Sequence, residues 1–300
     1  MKGAMWQGIE RWLSFDPGRR GFAGNLRPGD LERGTRRLQS ANSIAVATGF
    51  FIPAAQAVEN DGPLGAVFLA RALLALGKEV VLLVPDTAEA ACQVLCQALG
   101  LNCRAVLLSP GLVSEQFIEQ LGCDTLVVIE YPGQGGDKTC RNMRGADITP
   151  YVPLLDTAFN YAKQCGIFTI AVGDGGNELG CGGRGSVAVA PCGTPIAAVT
   201  EAEVVLAAGL SNWGVYALLA ALSLLENKNM VPTPSEERSL LEKLCQVGVV
   251  DGYHCLCQAT VDGQAAEVLA DVLQDLHRAV TDSLDTQRSV AVSSVWVANS

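Results

Sequence analysis

The stretch "AVGDGGNELG" (171–180) packs four glycines and two carboxylates into ten positions. Asp, Asn and Glu oxygens set among glycines can do one of three things. They can shape a turn, line a phosphate cradle or seat a hard cation. A phosphate cradle uses backbone N–H groups at a helix N-terminus. Here Asp174 and Glu178 would repel the phosphate, there is no GxxxxGK[ST], and "GDGGNELG" is not GxGxxG. An oxygen-lined site for Mg²⁺ or Mn²⁺ is the better chemical reading, with Gly175 and Gly176 letting the backbone come close. The chain has two histidines, His254 and His277, which argues against a Ser–His–Asp triad or a histidine-based metal site. The tight pair Cys255 and Cys257 beside His254 resembles half of a zinc site, but no second pair exists.

Further acidic groups follow other apolar runs. Glu59 and Asp61 stand in "VENDGPLG" (58–65), Glu130 ends "TLVVIE" (125–130), and Asp137 lies in "YPGQGGDK". Asp61 has a competing reading as a turn residue and helix N-cap, and Glu178 as an N-cap. Asp156, read as mid-helix in "PLLDTAF", and Asp251 are secondary candidates. "LSNWG" (210–214) opens a helix, with Trp213 either a core plug or the wall of a ligand site anchored by Ser211 and Asn212.

These residues need elements to hold them. Short apolar, β-branched runs alternate with amphipathic stretches. Strands are expected at 43–48, 79–84, 103–108, 125–130, 167–173 and 203–209. Helices are expected at 64–77, 87–100 (Thr87 as N-cap), 112–122, 152–166, 212–226, 237–246 and 264–279. The tail "SVAVSSVWVA" (289–298) reads as β-rich. Strands that are continuously apolar must be covered on both faces. The expected fold is therefore a layered α/β fold with a mainly parallel sheet and helices on both faces. Residues 1–300 read as one domain, with a sub-domain boundary near the turn-rich 227–237. In such sheets ligands bind at the carboxyl ends of strands, where the acidic groups collect.

Composition narrows the partners. The chain is 49% hydrophobic and 17% charged, with a formal charge of −10. A basic face for nucleic acid or an anionic membrane is not expected. Arg33, Arg36 and Arg37 read as a solvated helix face. The longest apolar runs, such as "VYALLAALSLL" (215–225), fall short of the ~20 residues of a bilayer span. With no signal peptide visible and eleven cysteines without a disulfide pattern, a reducing, cytoplasmic setting is expected.

The blocks "ATGF…ENDGPLGA", "LVVIEYPG…NMRGADIT", "LLDTAF", "AVGDGGNELG", "AAGLSNWGVYAL" and the late "GVVDG…TVDG" resemble the D-glutamate cyclase-like family, specifically its C-terminal domain, over about residues 40–265. Asn60 stands where the family usually has threonine. The resemblance implies a hydro-lyase that interconverts D-glutamate, or a related acidic amino acid, and 5-oxo-D-proline plus water. It implies a separate N-terminal cyclase domain as a partner, and stand-alone relatives of this length. Asp61, Glu130, Asp174 and Glu178 are then the expected catalytic and metal-holding groups, with Mn²⁺ or Mg²⁺ as cofactor. Asn177, Ser211, Asn212, Gly175 and Gly176 would bind substrate. The alternatives are a Mn/Mg-dependent phosphatase acting on small phosphoesters and a non-catalytic ligand-binding domain. A homo-oligomer is compatible with all three.

Overall fold

A computed structural model describes residues 2–109, 113–184 and 188–298. Two helices come first, α1 (Lys2–Leu13) and α2 (Asp30–Ser40), and the strand β1 (Ser43–Thr48) follows. A small antiparallel hairpin, β2 (Phe51–Ile52) and β3 (Ala57–Val58), precedes α3 (Pro63–Ala75). Then come β4 (Glu79–Pro85), α4 (Glu89–Ala98), β5 (Arg104–Leu108), α5 (Glu115–Leu121) and β6 (Thr125–Ile129). The remainder is α6 (Asp156–Gln164), β7 (Phe168–Gly173), β8 (Val204–Ala207), α7 (Ser211–Glu226), α8 (Pro234–Gln246) and α9 (Ala266–Ala298).

Six strands form one sheet in the order β5-β4-β1-β6-β7-β8, and every pairing is parallel. The chain winds outward from β1 to β5, then crosses to β6 and winds the other way. The reversal opens a crevice between the carboxyl ends of β1 and β6, where doubly wound sheets take ligands. Glu130 is the first residue beyond β6, at that crevice.

Strand residues alternate between two cores, as the period of two demands. Ile44, Val46, Val127, Ile129, Ile170 and Val172 face the larger one with α1–α4 and α7–α9. Ala45, Ala47, Leu126, Val128 and Ala171 face the smaller one with α5 and α6. Helix α7 is apolar all round because it lies inside: every residue from Ser211 to Leu224 is buried. The layered α/β expectation holds.

The differences from expectation lie at element ends. Thr87 does not cap α4; it falls in a short 3₁₀ turn (Asp86–Ala88), and Ala88 takes the cap position without a side-chain bond. Helix α5 opens later than expected, where the Ser114 hydroxyl accepts from the Phe117 N–H at 3.3 Å. Asp156 is the first residue of α6 rather than a mid-helix one, because "TPYVP" upstream forms a 3₁₀ turn and extended chain. The tail 289–298 is not a strand: α9 runs on to Ala298. Extending an existing helix gains one backbone bond per residue, which outweighs the few tenths of a kcal/mol that each valine costs. Helix α1 was not anticipated. Of the arginines expected to be solvated, Arg37 instead spans to β6 and donates to the Asp124 carboxylate at 3.0 Å. All eleven cysteines are free thiols. No described helix is long and apolar enough to cross a membrane.

Candidate active site

A cavity of ≈ 680 Å³ opens at the carboxyl end of the sheet. Glu59, Glu130, Asp174, Asn177, Asp262 and Arg20 line it, and Phe50, Tyr253 and Arg144 stand around them. Asp61, Glu178, Ser211 and Asn212 are buried behind this wall.

Asp61 and Asn212 tie two helix N-termini together. The N-terminal N–H groups of a helix lack partners within it. Asp61 supplies them for α7, accepting from Ser211 N at 2.8 Å and Asn212 N at 2.7 Å. Asn212 returns the service for α3: its Oδ1 accepts from Gly62 N at 3.0 Å and Gly65 N at 2.9 Å. The N-cap expected of Asp61 is thus real, but it acts on a helix 150 residues away in sequence. Gly62 itself must be glycine, since its φ is +95° and a Cβ there would lie 2.6 Å from the Glu130 Cβ.

Glu178 folds the glycine loop rather than capping a helix. Its carboxylate accepts from Asp174 N at 3.2 Å, Gly175 N at 2.7 Å and Gly176 N at 2.8 Å. The N–H groups of Gly175 and Gly176 are therefore committed to Glu178. The loop leaves two buried oxygens, Asp174 Oδ2 and Asn177 Oδ1, without a hydrogen-bond partner. Asn177 is held from its other end, donating Nδ2–H to the Arg141 carbonyl at 2.8 Å.

Glu130 departs from the sheet in a left-handed conformation, φ +45°. Such a backbone costs a non-glycine residue of order 1 kcal/mol and is a common mark of functional positions. Its Oε2 accepts from the Ser211 hydroxyl at 2.5 Å.

Six buried carboxylates share this region: Glu59, Asp61, Glu130, Asp174, Glu178 and Asp262. Among the described residues, two groups have ligand oxygens within 4.8 Å of one another: Glu130, Asp174 and Glu178; and Asp61, Asp174 and Asp262. At an effective dielectric near 20, unit charges that close repel by roughly 3 kcal/mol per pair. All six cannot stay ionised without cations. One is built in: Arg20 Nη1 is 3.0 Å from Asp262 Oδ2 and also pairs with Asp174 Oδ1. Burial, then Asp174 and Glu178, raises Glu130 well above the carboxylate range. Burial and Asp262 raise Glu59 in the same way. Asp61 is pushed up to about 7 by burial and Asp262, against the two N–H bonds from α7. Asp174 is raised by burial even though Arg20 pulls it down.

The structure brings together Asp61, Glu130, Asp174, Glu178, Asn177, Ser211 and Asn212. It does not bring in Asp137, an exposed partner of Arg141. Asp156 accepts from Thr200 Oγ1 at 2.7 Å and ties two loops. Asp251 folds the turn that carries Asp262, accepting from Thr260 Oγ1 at 2.6 Å and Gly263 N at 2.9 Å. His254, Cys255 and Cys257 make no metal cluster among the described residues; Cys255 Sγ takes a contact from Arg144 at 3.2 Å.

A family model described as D-glutamate cyclase-like, C-terminal, matches residues 9–277. The chain belongs to this family. Human mitochondrial D-glutamate cyclase is 35% identical to it over 237 residues, which cover 72% of this chain and 38% of that protein. The chain thus spans well under half of that relative's length. A solved exopolyphosphatase-related protein from Bacteroides fragilis is 10% identical, with a TM-score of 0.44 over 86% of this chain and 59% of its own. A likeness that loose carries no argument.

Arg20, Glu59 and Asp262 all fall inside the D-glutamate cyclase-like match; the strand-end pattern includes Glu59 among its acidic groups, but neither Arg20 nor Asp262. Asp262 stands in the "TVDG" turn, a visible block whose side-chain direction was not legible. Arg20 stands in "DPGRRG", a loop by composition. The signal for it was indirect: a cluster of carboxylates demands a positive partner, and neither Lys nor Arg occurs in the acidic blocks "VENDGPLG" and "AVGDGGNELG" themselves.

Proposed function

We propose that the cavity is the active site of a D-glutamate cyclase-like hydro-lyase, interconverting D-glutamate, or a related acidic amino acid, and 5-oxo-D-proline plus water. Family membership supports the reaction class. The observation that carries the location is the pair of unpartnered buried oxygens, Asp174 Oδ2 and Asn177 Oδ1, beside Glu130 in the cavity wall.

Ring closure forms a bond from the α-nitrogen to the carbon of the γ-carboxylate and breaks one of that carbon's C–O bonds. The amine must give up a proton, and the departing oxygen must leave as water. Both demands fall to a group that holds a proton near neutrality. Glu130 meets them, since burial among carboxylates favours its protonated form and the Ser211 hydroxyl fixes its orientation. Protonated, it delivers its proton to the leaving oxygen; the carboxylate this leaves can then take the proton that the amine gives up. The N-termini of α3 and α7 place two helix dipoles behind the site and favour negative charge on Asp61 and the substrate carboxylate. Arg20, in the cavity wall, offers guanidinium N–H donors to a substrate carboxylate.

The donor set fits a hard divalent cation, being all oxygen and containing an unpartnered carboxylate oxygen and an unpartnered amide oxygen. Asp174, Glu178 and Asn177 would hold it, with Glu130 joining them in its ionised form, which a bound cation would favour. When bound, Mn²⁺ or Mg²⁺ would drain charge from the γ-carboxylate, which is otherwise a poor electrophile.

The test is direct. The purified chain, with Mn²⁺ or Mg²⁺, is incubated with D-glutamate or with 5-oxo-D-proline, and both compounds are followed by chiral chromatography, with L-glutamate as control. Interconversion from both sides is expected. No turnover from either side in the presence of metal would overturn the proposal.

A further inference from the structure

The two acidic trios share Asp174, yet they are not equivalent. In the trio of Glu130, Asp174 and Glu178, the two glutamates accept from neutral donors, the Ser211 hydroxyl and the N–H groups of the glycine loop, and Arg20 pairs only with the shared Asp174. Around Asp61, Asp174 and Asp262 a full positive charge is already present. Arg20 Nη1 pairs with Asp174 and lies 3.0 Å from Asp262 Oδ2. Burial works against this guanidinium, but Asp174, Asp262 and Glu130 hold it firmly protonated.

The arm that delivers Arg20 is built for the purpose. Phe15 stacks on Trp213 of α7, with centroids 5.4 Å apart and planes 17° apart. The Phe15 carbonyl lies where a Cβ on Gly209 would be, so only glycine admits the arm there. Asp16 then turns the chain, accepting from Arg20 N at 3.2 Å and Gly21 N at 2.7 Å. Three separate contacts fix one side chain between two carboxylates that lie 88 residues apart in sequence, at positions 174 and 262.

We infer that Arg20 is a resident cation: it occupies the Asp61–Asp174–Asp262 trio and excludes a divalent ion from it. The inference rests on the reading of the other trio as a cation site. The chain then binds one divalent ion, at Glu130, Asp174 and Glu178. Paired divalent sites place their ions roughly 3.5–4 Å apart on shared carboxylates, and Asp174 could serve as such a bridge. A guanidinium in the second place changes the chemistry. It stays charged across the working pH range and donates hydrogen bonds, but it binds no water to be turned into hydroxide. Substrate carboxylate therefore meets one ion and one arginine.

The experiment counts ions. The full-length chain and its variants are titrated with Mn²⁺, with bound ion measured by equilibrium dialysis and by the loss of the free-ion electron paramagnetic resonance signal. Wild type is expected to bind one ion. Arg20→Met and the more polar Arg20→Gln are expected to bind two, and Arg20→Lys one. Adding Asp262→Asn to Arg20→Met returns the count to one. Circular dichroism and thermal melting establish that each variant is folded, and Arg20→Gln serves if Arg20→Met is not. Two ions in wild type, or the same count in wild type and in both neutral variants, overturns the inference. No ion in wild type removes the cation from the proposed function, and the inference then stands only if the neutral variants gain one.

Discussion

Asn212 separates two readings of this site. As a substrate ligand, its loss would raise KM and leave the fold intact. The geometry instead makes it the cap of α3, with Oδ1 accepting from Gly62 N and Gly65 N at 3.0 and 2.9 Å. Asn212→Ala leaves Gly65 N buried with no acceptor and Gly62 N with only the Asp61 Oδ1 at 3.1 Å. A buried donor stranded in this way costs about 1–3 kcal/mol. The lost side chain adds a small void, and the bonds that Asp61 makes to the α7 backbone remain. A destabilisation of roughly 1–4 kcal/mol is expected, a sizeable share of the roughly 5–15 kcal/mol that holds a domain together. Urea unfolding followed by tryptophan fluorescence and circular dichroism measures it. The molecules still folded should keep a KM close to wild type. A destabilisation under about 1 kcal/mol together with a tenfold rise in KM would refute the reasoning and return Asn212 to the substrate.

Four other perturbations follow from the same geometry. Glu130→Gln keeps the shape and the Ser211 bond but cannot exchange a proton, so kcat should fall by about 10²–10⁴ with little loss of stability; unchanged turnover would exclude Glu130 as the acid–base group. Gly209→Ala forces a Cβ onto the Phe15 carbonyl and should dislodge the arm that carries Arg20, seen as faster proteolysis between α1 and α2 and as lost activity. Glu237, buried on α8 and bonded to the Tyr216 hydroxyl at 2.8 Å, is pushed by burial from the ordinary 4.5 up to about 7. The folded state therefore binds this proton more tightly than the unfolded chain does. Its stabilisation is complete below pH 4.5 and is lost as pH rises through about 7, by roughly 3 kcal/mol. Glu237→Gln should flatten that part of the stability–pH curve in urea titrations at pH 5 and pH 8, and an unaltered slope would refute the assignment. Chelation with EDTA should lower the melting temperature in proportion to the Mn²⁺ previously bound; identical melting with and without Mn²⁺ would count against a cation site.

Much of this was legible because parallel strands announce themselves. "SIAVAT" became β1 (Ser43–Thr48) without change, and the other five runs shifted by a residue or two. Their carboxyl ends then pointed to Asp61, Glu130, Asp174 and Glu178 by topology alone. Side-chain direction was not legible. Nothing local says that Glu178 turns back onto the N–H groups of residues 174–176, or that Asp61 serves a helix starting at Ser211. Arg20 was out of reach for a related reason. Its role depends on Phe15 meeting Trp213 and on Gly209 making room, contacts across about 200 residues that no local pattern encodes. The tail misled because four valines in ten residues look like a strand locally, while helix extension from α9 was already under way.

The reciprocal caps constrain how function can be tested here. Asp61 holds α7 and Asn212 holds α3, so each helix N-terminus depends on a residue just outside or at the start of the other. Removing either side chain strands buried donors, and any loss of turnover then mixes chemistry with unfolding. Glu130 and Asp174 differ. Glu130 accepts one side-chain hydroxyl, and one Asp174 oxygen has no partner at all. Burying an unpaired carboxylate oxygen costs stability, so a fold selected for stability alone would satisfy it or replace it. Its persistence beside a left-handed glutamate is a cost that a bound ligand would repay. Asp174→Asn, which keeps the volume and removes the charge, should therefore raise the melting temperature of the free protein while abolishing its Mn²⁺-dependent stabilisation. A purely structural Asp174, valued only for its pair with Arg20, predicts the reverse: a lower melting temperature and an unchanged response to the ion.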